Sequence, residues 1–191
     1  EKSSVGYDIM TNVAESYRAG IEMALSVNPI KPLYLDANLT LSRNKIKNFS
    51  LFTTQYNEVW DEEFVELNLG ETDIAYSPNI IAAGTIRYNP FKSFNISYVA
   101  KYVGKQYFDN TMSEQRKLDP YFVNNIQLDY SFLLKSKQEL SLRFNVNNIF
   151  NNKYSSNAYG GVWYEQEDEK TWAYYYPQAG INFMFGIDFR F

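Results

Sequence analysis

The chain ends on residues 181–191, INFMFGIDFRF, in which large apolar residues alternate with small or polar ones. The apolar set is Ile181, Phe183, Phe185, Ile187, Phe189 and Phe191. A period of two is that of a β-strand whose side chains point to opposite faces in turn, so this stretch predicts a strand with one apolar face. About eleven residues is also the length of a tilted strand that crosses a bilayer. The stretch therefore predicts a membrane-crossing strand.

The composition of the whole chain is compatible with membrane strands and excludes membrane helices. The mean hydropathy is -0.42, and no run of apolar residues is long enough for a transmembrane helix. A transmembrane β-barrel can still look hydrophilic on average, because half of each strand faces water or packed polar groups. The 17 Tyr and 14 Phe make the chain 18% aromatic together with its Trp residues, and barrels concentrate such residues at the two membrane interfaces.

Charge and missing residue types exclude several functions. The formal net charge of -4 gives no basic surface for nucleic acid, so we expect no nucleic-acid partner. The chain has no Cys and no His, which excludes Ser-His and Cys-His catalysis and the usual zinc sites. We therefore expect no catalytic residue, no metal site and no cofactor, and we predict that the protein is not an enzyme.

Seven segments alternate in the same way. Leu35 and Leu39 of the second segment, for example, are opposed by Asp36 and Asn38, and charged residues lie opposite the apolar face throughout. The pattern predicts an all-β fold, a transmembrane antiparallel up-and-down β-barrel. The predicted strands cover residues 17–27, 33–42, 80–88, 94–102, 122–132, 140–147 and 181–191.

Short and long connections alternate between these strands. The short ones, 28–32, 89–93 and 134–138, carry Pro, Asn, Ser or Lys, as hairpin turns do. The long ones are 43–79, 103–121 and 149–173. Bacterial outer-membrane barrels have short turns in the periplasm and long loops outside. We therefore expect a periplasmic C-terminus and extracellular long loops.

The strand count suggests a part of a larger barrel. Counting back from a periplasmic C-terminus places Glu1 on an extracellular connection, and seven is an odd number where bacterial barrels have an even one. We expect residues 1–191 to be the C-terminal part of one transmembrane barrel domain.

Two motifs near the C-terminus carry a family resemblance. Residues 144–154, FNVNNIFNNKY, and residues 175–180, YYPQAG, resemble the end of TonB-dependent outer-membrane receptors. Ile181 departs from the family pattern, in which Arg is common. Residues 15–22, 102–110 and 118–125 look like the versions found in Bacteroidetes receptors. The matching positions are Val146, Asn148, Ile149, Phe150, Asn151, Tyr154, Pro177, Ala179, Gly180 and Phe183.

The resemblance implies a barrel of about 22 strands with a plugged lumen in the outer membrane. Such receptors import scarce large solutes, among them ferric siderophores, cobalamin and glycans, and we favour the iron-complex branch. The implied partners are outer-membrane lipid, the rest of the barrel and its plug domain, the TonB-ExbB-ExbD complex acting through the plug, and the barrel-assembly machinery. The plug and the earlier strands are outside this sequence.

Aromatic residues in the long connections are candidate substrate contacts, because loops carry specificity in such receptors. The candidates are Tyr56, Trp60, Tyr159, Trp163 and Tyr164. Acidic residues surround them and are read as a solvated surface. A Ca²⁺ site there would need about six to eight converging oxygens.

Two further groups have structural interpretations. Amphipathic rings suit the headgroup layer, so Phe150, Tyr154, Tyr174, Tyr175 and Tyr176 are predicted to form an interfacial aromatic belt. Ile187, Phe189 and Phe191 resemble the C-terminal signal read by the barrel-assembly machinery.

Two alternatives stay open. A glycan importer of the SusC type would pair with a surface lipoprotein. A stand-alone barrel of about eight strands, acting as an adhesin or structural anchor, would need residues 5–13 as its missing strand.

Overall fold

The computed structural model describes residues 12–13, 15–134 and 138–191. In these residues, no helix is long and apolar enough to cross a membrane. The alternative strand at 5–13 falls, apart from residues 12 and 13, outside the described part. The strands are β1 (Ser16–Ile30), β2 (Leu33–Tyr56), β3 (Glu62–Asp73), β4 (Ile80–Phe91), β5 (Phe94–Val103), β6 (Gln106–Tyr107), β7 (Lys117–Leu118), β8 (Tyr121–Leu133), β9 (Glu139–Asn147), β10 (Ser155–Glu165), β11 (Asp168–Pro177) and β12 (Asn182–Arg190).

Seven strands form an antiparallel meander that we call the wall. Its order is β1-β2-β4-β5-β8-β9-β12, and these are the seven strands that the alternation predicts. β3 and β10 pair with the C-terminal part of β2, and β11 pairs with β10, so all three belong to the same ten-stranded sheet. β6 and β7 pair separately. The predicted all-β, up-and-down architecture is confirmed.

One face of the wall is apolar along continuous rows of paired residues. A single row crosses all seven strands, and each member is directly opposite the next. Residues on this face remain accessible, for example Phe183 at 63% and Phe185 at 65%. A soluble protein would bury such rows, whereas lipid covers them at no cost. The row is Val27, Leu35, Ile86, Tyr98, Ile126, Val146 and Phe183.

The opposite face carries hydrogen-bonded polar rows. Asp129 accepts hydrogen bonds from Asn95 Nδ2 at 3.2 Å and from Arg143 Nε at 2.9 Å, across three neighbouring strands. Ser26 donates to Asp36 at 2.5 Å between β1 and β2. A water-filled or plugged interior accommodates such groups, so the two faces meet two different environments.

The three short turns lie together at one rim of the wall. Asn89 N in the second turn donates to Pro32 O in the first at 2.7 Å, and Ser131 N donates to Ser93 O at 2.8 Å. Leu134 N donates to Gln138 O at 2.8 Å across the third turn. The predicted separation of short turns from long connections is therefore present in the fold.

The long connections differ from the sequence prediction, because two of them are β-hairpins. β2 continues past the predicted end of its strand to Tyr56 and pairs with β3, and β10 pairs with β11 inside the predicted loop 149–173. At roughly 3.3 Å per residue, residues 43–56 extend β2 by about 45 Å. The alternation in these strands is short, as in Val65, Leu67 and Leu69 of β3, or absent, so the sequence signal is weaker than in the wall.

An asparagine turn closes the end of β9. Asn148 is 3% exposed and has a positive φ of 52°, a conformation that Asn tolerates better than most residues. Its backbone N–H donates to Asn125 Oδ1 at 2.9 Å. Its side-chain amide donates to Asn152 O at 2.8 Å and to Ala179 O at 3.1 Å. The turn thus ties β8 and β9 to the approach to the last strand.

The neighbouring Asn151 explains why Gly180 belongs to the second motif. Asn151 Oδ1 accepts the backbone N–H of Ile181 at 3.1 Å. A Cβ built on Gly180 would lie 2.4 Å from that same oxygen. The two sequence motifs, residues 144–154 and 175–180, therefore form one structural unit. The Asn151 amide of the first motif occupies the space that Gly180 of the second motif leaves free.

Two edges of the wall stay open within the described residues. β1 pairs with β2 alone, and β12 pairs with β9 alone. Free backbone N–H and C=O groups are not tolerated in lipid. Both edges therefore need further strands.

Replacing Gly180 by Ala should displace the Asn151 amide. We expect the complete protein in detergent to lose about 0.5–1.5 kcal/mol of stability, the net contribution of one hydrogen bond, because Asn151 and Ile181 are both exposed. The measurement is the denaturant midpoint of unfolding. Gly186→Ala is the control, since its Cβ would meet only Arg143 Cβ at 3.8 Å. Equal midpoints for both variants would contradict this account of the turn.

A charge on the apolar row should destabilise the wall, whereas the same charge one residue later should not. Ile126→Lys places an ammonium against lipid at an expected cost of about 2–4 kcal/mol. Gln127→Lys places it on the polar face, between Ser97 and Asn145. The readout is the folded fraction after insertion into lipid vesicles. A similar decrease in the folded fraction for both variants would show that the two faces meet the same environment.

Candidate substrate-binding surface

Residues 43–79, 104–120 and 148–180 extend from the rim opposite the short turns, and we call them the cap. The β10–β11 hairpin leaves the wall between β9 and β12 but reaches β2, four strands away. There Tyr164 and Glu165 pair in parallel with Gln55 and Tyr56. Gln166 N donates to Tyr56 O at 2.7 Å. The last hairpin therefore crosses over the wall between β9 and β2.

The connection between β3 and β4 lies on the polar face of the wall. Arg18 Nη1 donates to Ser77 Oγ at 3.0 Å, and Ser42 Oγ donates to Pro78 O at 3.2 Å. Arg18 and Ser42 project from the polar face of β1 and β2, because they alternate with the apolar residues of those strands. Residues 76–78 therefore cover the outer end of the polar face.

The β10–β11 hairpin lies on the same side, beyond this connection. The Tyr76 hydroxyl donates to Asn157 Oδ1 at 2.8 Å and lies against the carbonyl oxygen of Ala158. Further out, Thr53 Oγ1 donates to Val162 O at 2.7 Å. Tyr76 thus stands between the polar face and β10, so the hairpin crosses above the interior side of the wall.

One face of the hairpin is packed against the 104–120 loop. Phe108, Leu118 and Ala158 are buried together, with Ala173 packed against them. The Phe108 ring meets the Tyr175 ring edge-on at 6.1 Å. This small apolar core gives the cap a packed structure of its own. We call the packed side of the hairpin its inner face.

A buried arginine ties the loop to the hairpin. Arg116 is 1% exposed. Its Nε donates to Asp109 Oδ2 at 2.7 Å and its Nη1 to Glu169 Oε1 at 2.7 Å. The Thr111 and Thr171 hydroxyls accept two further hydrogen bonds, from Nη2 at 2.8 Å and from Nη1 at 3.1 Å. The sequence prediction missed this residue, because nothing local distinguishes Arg116 from a solvated basic residue.

A second charged cluster lies on the surface of the same loop. Glu114 accepts hydrogen bonds from Lys105 at 2.6 Å, from Lys117 at 2.8 Å and from the Tyr107 hydroxyl at 2.6 Å. The bonds from Lys105, then Lys117 and Tyr107, lower the pKa of Glu114 to about 2. The carboxylate therefore stays ionised at neutral pH and is no proton donor there.

The structure separates the predicted substrate contacts into two groups. Tyr56 and Trp60 lie at the tip of the β2–β3 hairpin with ring centroids 6.3 Å apart, and Trp60 is 70% exposed. Tyr159 and Trp163 share one face of β10, whereas Tyr164 is on the opposite, inner face. Tyr164 donates its hydroxyl hydrogen to Glu169 at 3.2 Å. Burial, and secondarily the nearby Glu169 charge, raise the pKa of Tyr164.

Four rings form a ladder on the outer face of the β10–β11 hairpin. Tyr159 lies 5.5 Å from both Trp172 and Tyr174 and 5.9 Å from Tyr176, centroid to centroid. Trp172 and Tyr174 are 5.4 Å apart. Gly161 makes room for the indole, since a Cβ there would lie 2.7 Å from Trp172 Nε1. We call Tyr159, Trp172, Tyr174 and Tyr176 the ladder.

The predicted belt residues do not form one surface. Tyr174 and Tyr176 belong to the ladder, while Tyr175 is on the inner face. Tyr154 stacks on Tyr121 at 4.2 Å, and Phe150 projects from the asparagine turn with 66% exposure. A role of these rings in the headgroup layer stays a prediction.

The predicted assembly signal lies at the end of β12. Ile187 and Phe189 pair with Leu142 and Leu140 on the apolar face, and the Phe189 and Phe191 rings are 5.5 Å apart.

The acidic residues of the cap do not converge on a metal site. Among residues 12–13, 15–134 and 138–191, no group of three or more His, Cys, Asp or Glu side chains is placed to hold a metal ion.

Replacing Arg116 by Gln should loosen the cap and leave the wall intact. It would leave Asp109 and Glu169 without their cation. We expect a loss of local stability of up to about 3 kcal/mol, the low end for a broken buried ion pair, because both carboxylates keep contact with water. We expect faster amide hydrogen exchange in β11 of the complete protein. Arg43→Gln, which breaks an exposed pair with Glu71, is the control. Unchanged exchange in the Arg116 variant would refute a fastening role.

Comparison with known proteins agrees with the fold. The siderophore receptor PiuA from Acinetobacter baumannii is similar to 90% of this chain with a TM-score of 0.65 and 15% identity, over 21% of its own length. A variant of the ferric enterobactin receptor PfeA from Pseudomonas aeruginosa matches 76% of the chain over 19% of its own length, at 18% identity and a TM-score of 0.49. The ferric-catecholate import receptor Fiu from E. coli matches 87% over 26%, at 16% identity and a TM-score of 0.44.

The chain thus spans about a fifth of the first of these structures. None of the curated proteins matches it significantly. The model of the family described as TonB dependent receptor-like, beta-barrel matches residues 2–149, most of the 191. The chain belongs to the TonB-dependent receptor family and is a part of its β-barrel.

Proposed function

We propose that the chain forms part of the wall and outer surface of an outer-membrane receptor that takes up a ferric siderophore or a similarly scarce large solute in a TonB-dependent way. The observation that carries this proposal is the apolar row across seven strands, backed by hydrogen-bonded polar rows. Such a wall separates lipid from a polar interior. A plug in that interior would contact the polar face.

The arrangement of the rims supports an orientation. All three short turns are at one end and the cap is at the other, as in barrels with periplasmic turns and extracellular loops. In that orientation the C-terminus is periplasmic. Ile187, Phe189 and Phe191 would then be accessible to the barrel-assembly machinery, and TonB-ExbB-ExbD would act on the plug from the same side.

The cap would supply contacts to the solute. Trp60 and Tyr56 stand at the tip of one hairpin, and Tyr159 and Trp163 share a face of the other. Exposed rigid rings provide large contact areas at low conformational cost. Tyr164, held by Glu169, contributes by keeping the second hairpin in place.

A glycan importer with a surface lipoprotein is the second candidate. Val59 and Trp60, at 72% and 70% exposure, place apolar surface at the outermost tip of the β2–β3 hairpin. A lipoprotein seated over the mouth would cover this tip. Stable co-purification of a lipoprotein with the complete receptor, lost on Trp60→Ala, would favour this candidate over iron uptake.

Uptake should depend on TonB and on the cap. We expect cells that rely on this receptor to lose energised uptake of radio-labelled ferric siderophore when TonB is deleted. Trp60→Ala should weaken solute binding about tenfold, equivalent to about 1.4 kcal/mol for the loss of one exposed ring contact.

Phe91→Ala is the matched control, because Phe91 is an exposed ring at the short-turn rim. Uptake that persists without TonB would refute the proposed function. Equal binding by the Trp60 and Phe91 variants would remove Trp60 from the solute contacts.

A further inference from the structure

The first two short turns share one sequence pattern: an apolar residue, Lys, one further residue and a second apolar residue. The patterns are Ile30-Lys31-Pro32-Leu33 and Phe91-Lys92-Ser93-Phe94. In each turn the two apolar residues lie opposite each other and close the hairpin. Leu33 is paired with Tyr88 and Phe94 with Tyr130, so both closing pairs belong to the apolar face of the wall. Each lysine therefore follows directly on the last lipid-facing side chains of its hairpin.

The two turns are firmly held and lie side by side. Asn28 Nδ2 donates to Ile30 O at 2.9 Å and to Leu33 O at 2.6 Å. Asn89 N donates to Pro32 O at 2.7 Å and joins the second turn to the first. The hairpins are neighbours in the wall, so their centres are separated by two strand spacings, about 10 Å. The two lysines are thus presented together at one level of the rim.

Neither lysine is neutralised by its surroundings. Lys31 and Lys92 are exposed, and among the described residues no ion pair or side-chain hydrogen bond holds either ammonium group. Residues 28–33 and 89–94 contain no Asp or Glu. In the cap, by contrast, acidic residues outnumber basic ones in residues 43–79 and 148–180. We call Lys31 and Lys92 the basic patch of the short-turn rim.

Aromatic rings lie beside the basic patch on the apolar face. The Phe91 and Phe94 rings stack with centroids 5.6 Å apart, and the Tyr130 ring lies 6.3 Å and 6.2 Å from them. The Phe132 ring is 4.5 Å from that of Tyr130. Rings of this kind favour the boundary between hydrocarbon and headgroups. Lys92, at the tip of the turn between two of these rings, is therefore at the level of the headgroups.

We propose that the basic patch binds the phosphate groups of anionic phospholipids in the leaflet at the short-turn rim. A lysine stem lies along apolar surface while its ammonium group stays in the headgroup layer, where anionic lipids attract it. An acidic protein surface would match the two charges but not the apolar pairs and rings directly next to them. The inference needs only the contact of the wall with lipid, so it is independent of the solute and of TonB.

The experiment measures lipid preference at two positions of the apolar face. Ile96→Cys, near the basic patch, or Ala82→Cys, near the cap, is labelled with bimane in a complete receptor without other cysteines. The receptor is reconstituted in mixtures of phosphatidylcholine and phosphatidylglycerol, of which one is brominated in its acyl chains. At position 96 we expect the anionic lipid to quench as if it bound about fivefold more tightly than the zwitterionic lipid. At position 82 the two lipids should quench equally, and high salt should reduce the difference at position 96.

Variants assign the preference to the two lysines. Lys31→Gln combined with Lys92→Gln should abolish it at position 96, whereas Arg at both positions should keep it, because the charges are retained. Lys101→Gln is the matched control, since it removes one charge from the polar face of the neighbouring strand and should change nothing.

Three results would overturn the proposal. Equal quenching by the two lipids in the unaltered receptor would leave the basic patch to an acidic protein partner instead of lipid. A preference that survives the double Gln variant would place its origin elsewhere. Loss of the preference on Lys101→Gln would show a general effect of charge, without a local lipid site.

Discussion

The structure depends on one constraint: every backbone N–H and C=O group of a strand in lipid must be hydrogen-bonded. The side chains of the same strands face lipid on one side and a polar interior on the other. The meander pairs each interior strand of the wall on both edges. The row from Val27 to Phe183 then presents apolar side chains on one side, with the hydroxyl of Tyr98 bonded to Asn124. Asp129, bonded to Asn95 and Arg143, presents polar groups on the other. Because β1 and β12 each keep one open edge among the described residues, the same constraint demands further strands.

Two sequence motifs become one structural device at the outer rim. Asn148 satisfies backbone groups on both sides of its turn, and Asn151 fills the space beside Gly180 while it accepts the N–H of Ile181. The buried Asn148 amide is stabilising because its hydrogen bonds are complete, whereas the exposed Asn151 goes with Gly180 because a Cβ there would collide with the Asn151 oxygen. The last strand is thereby placed in register with β9.

The cap follows different physics from the wall. Burial in the cap comes from contacts among its own residues. The small core of Phe108, Leu118 and Ala158 supplies some of that burial, and Arg116 joins a loop to a hairpin more than 50 residues away in sequence. Hydrogen bonds from Tyr76 then fasten the hairpin above the polar face. The β10–β11 hairpin and its aromatic face are thus held by contacts with distant parts of the chain.

Alternation of apolar residues was enough to predict the seven wall strands, their faces and the rim that carries the short turns, because lipid imposes a period of two on every strand that crosses it. The same reasoning left β3, β10 and β11 as loops, because their alternation is short or absent. Composition marked the Tyr and Trp residues of the last connection as functional or interfacial. Only the tertiary structure decided how those rings are grouped, because the pairing of β10 with β11 and the contacts of Tyr76 and Arg116 with distant residues set which rings share a surface.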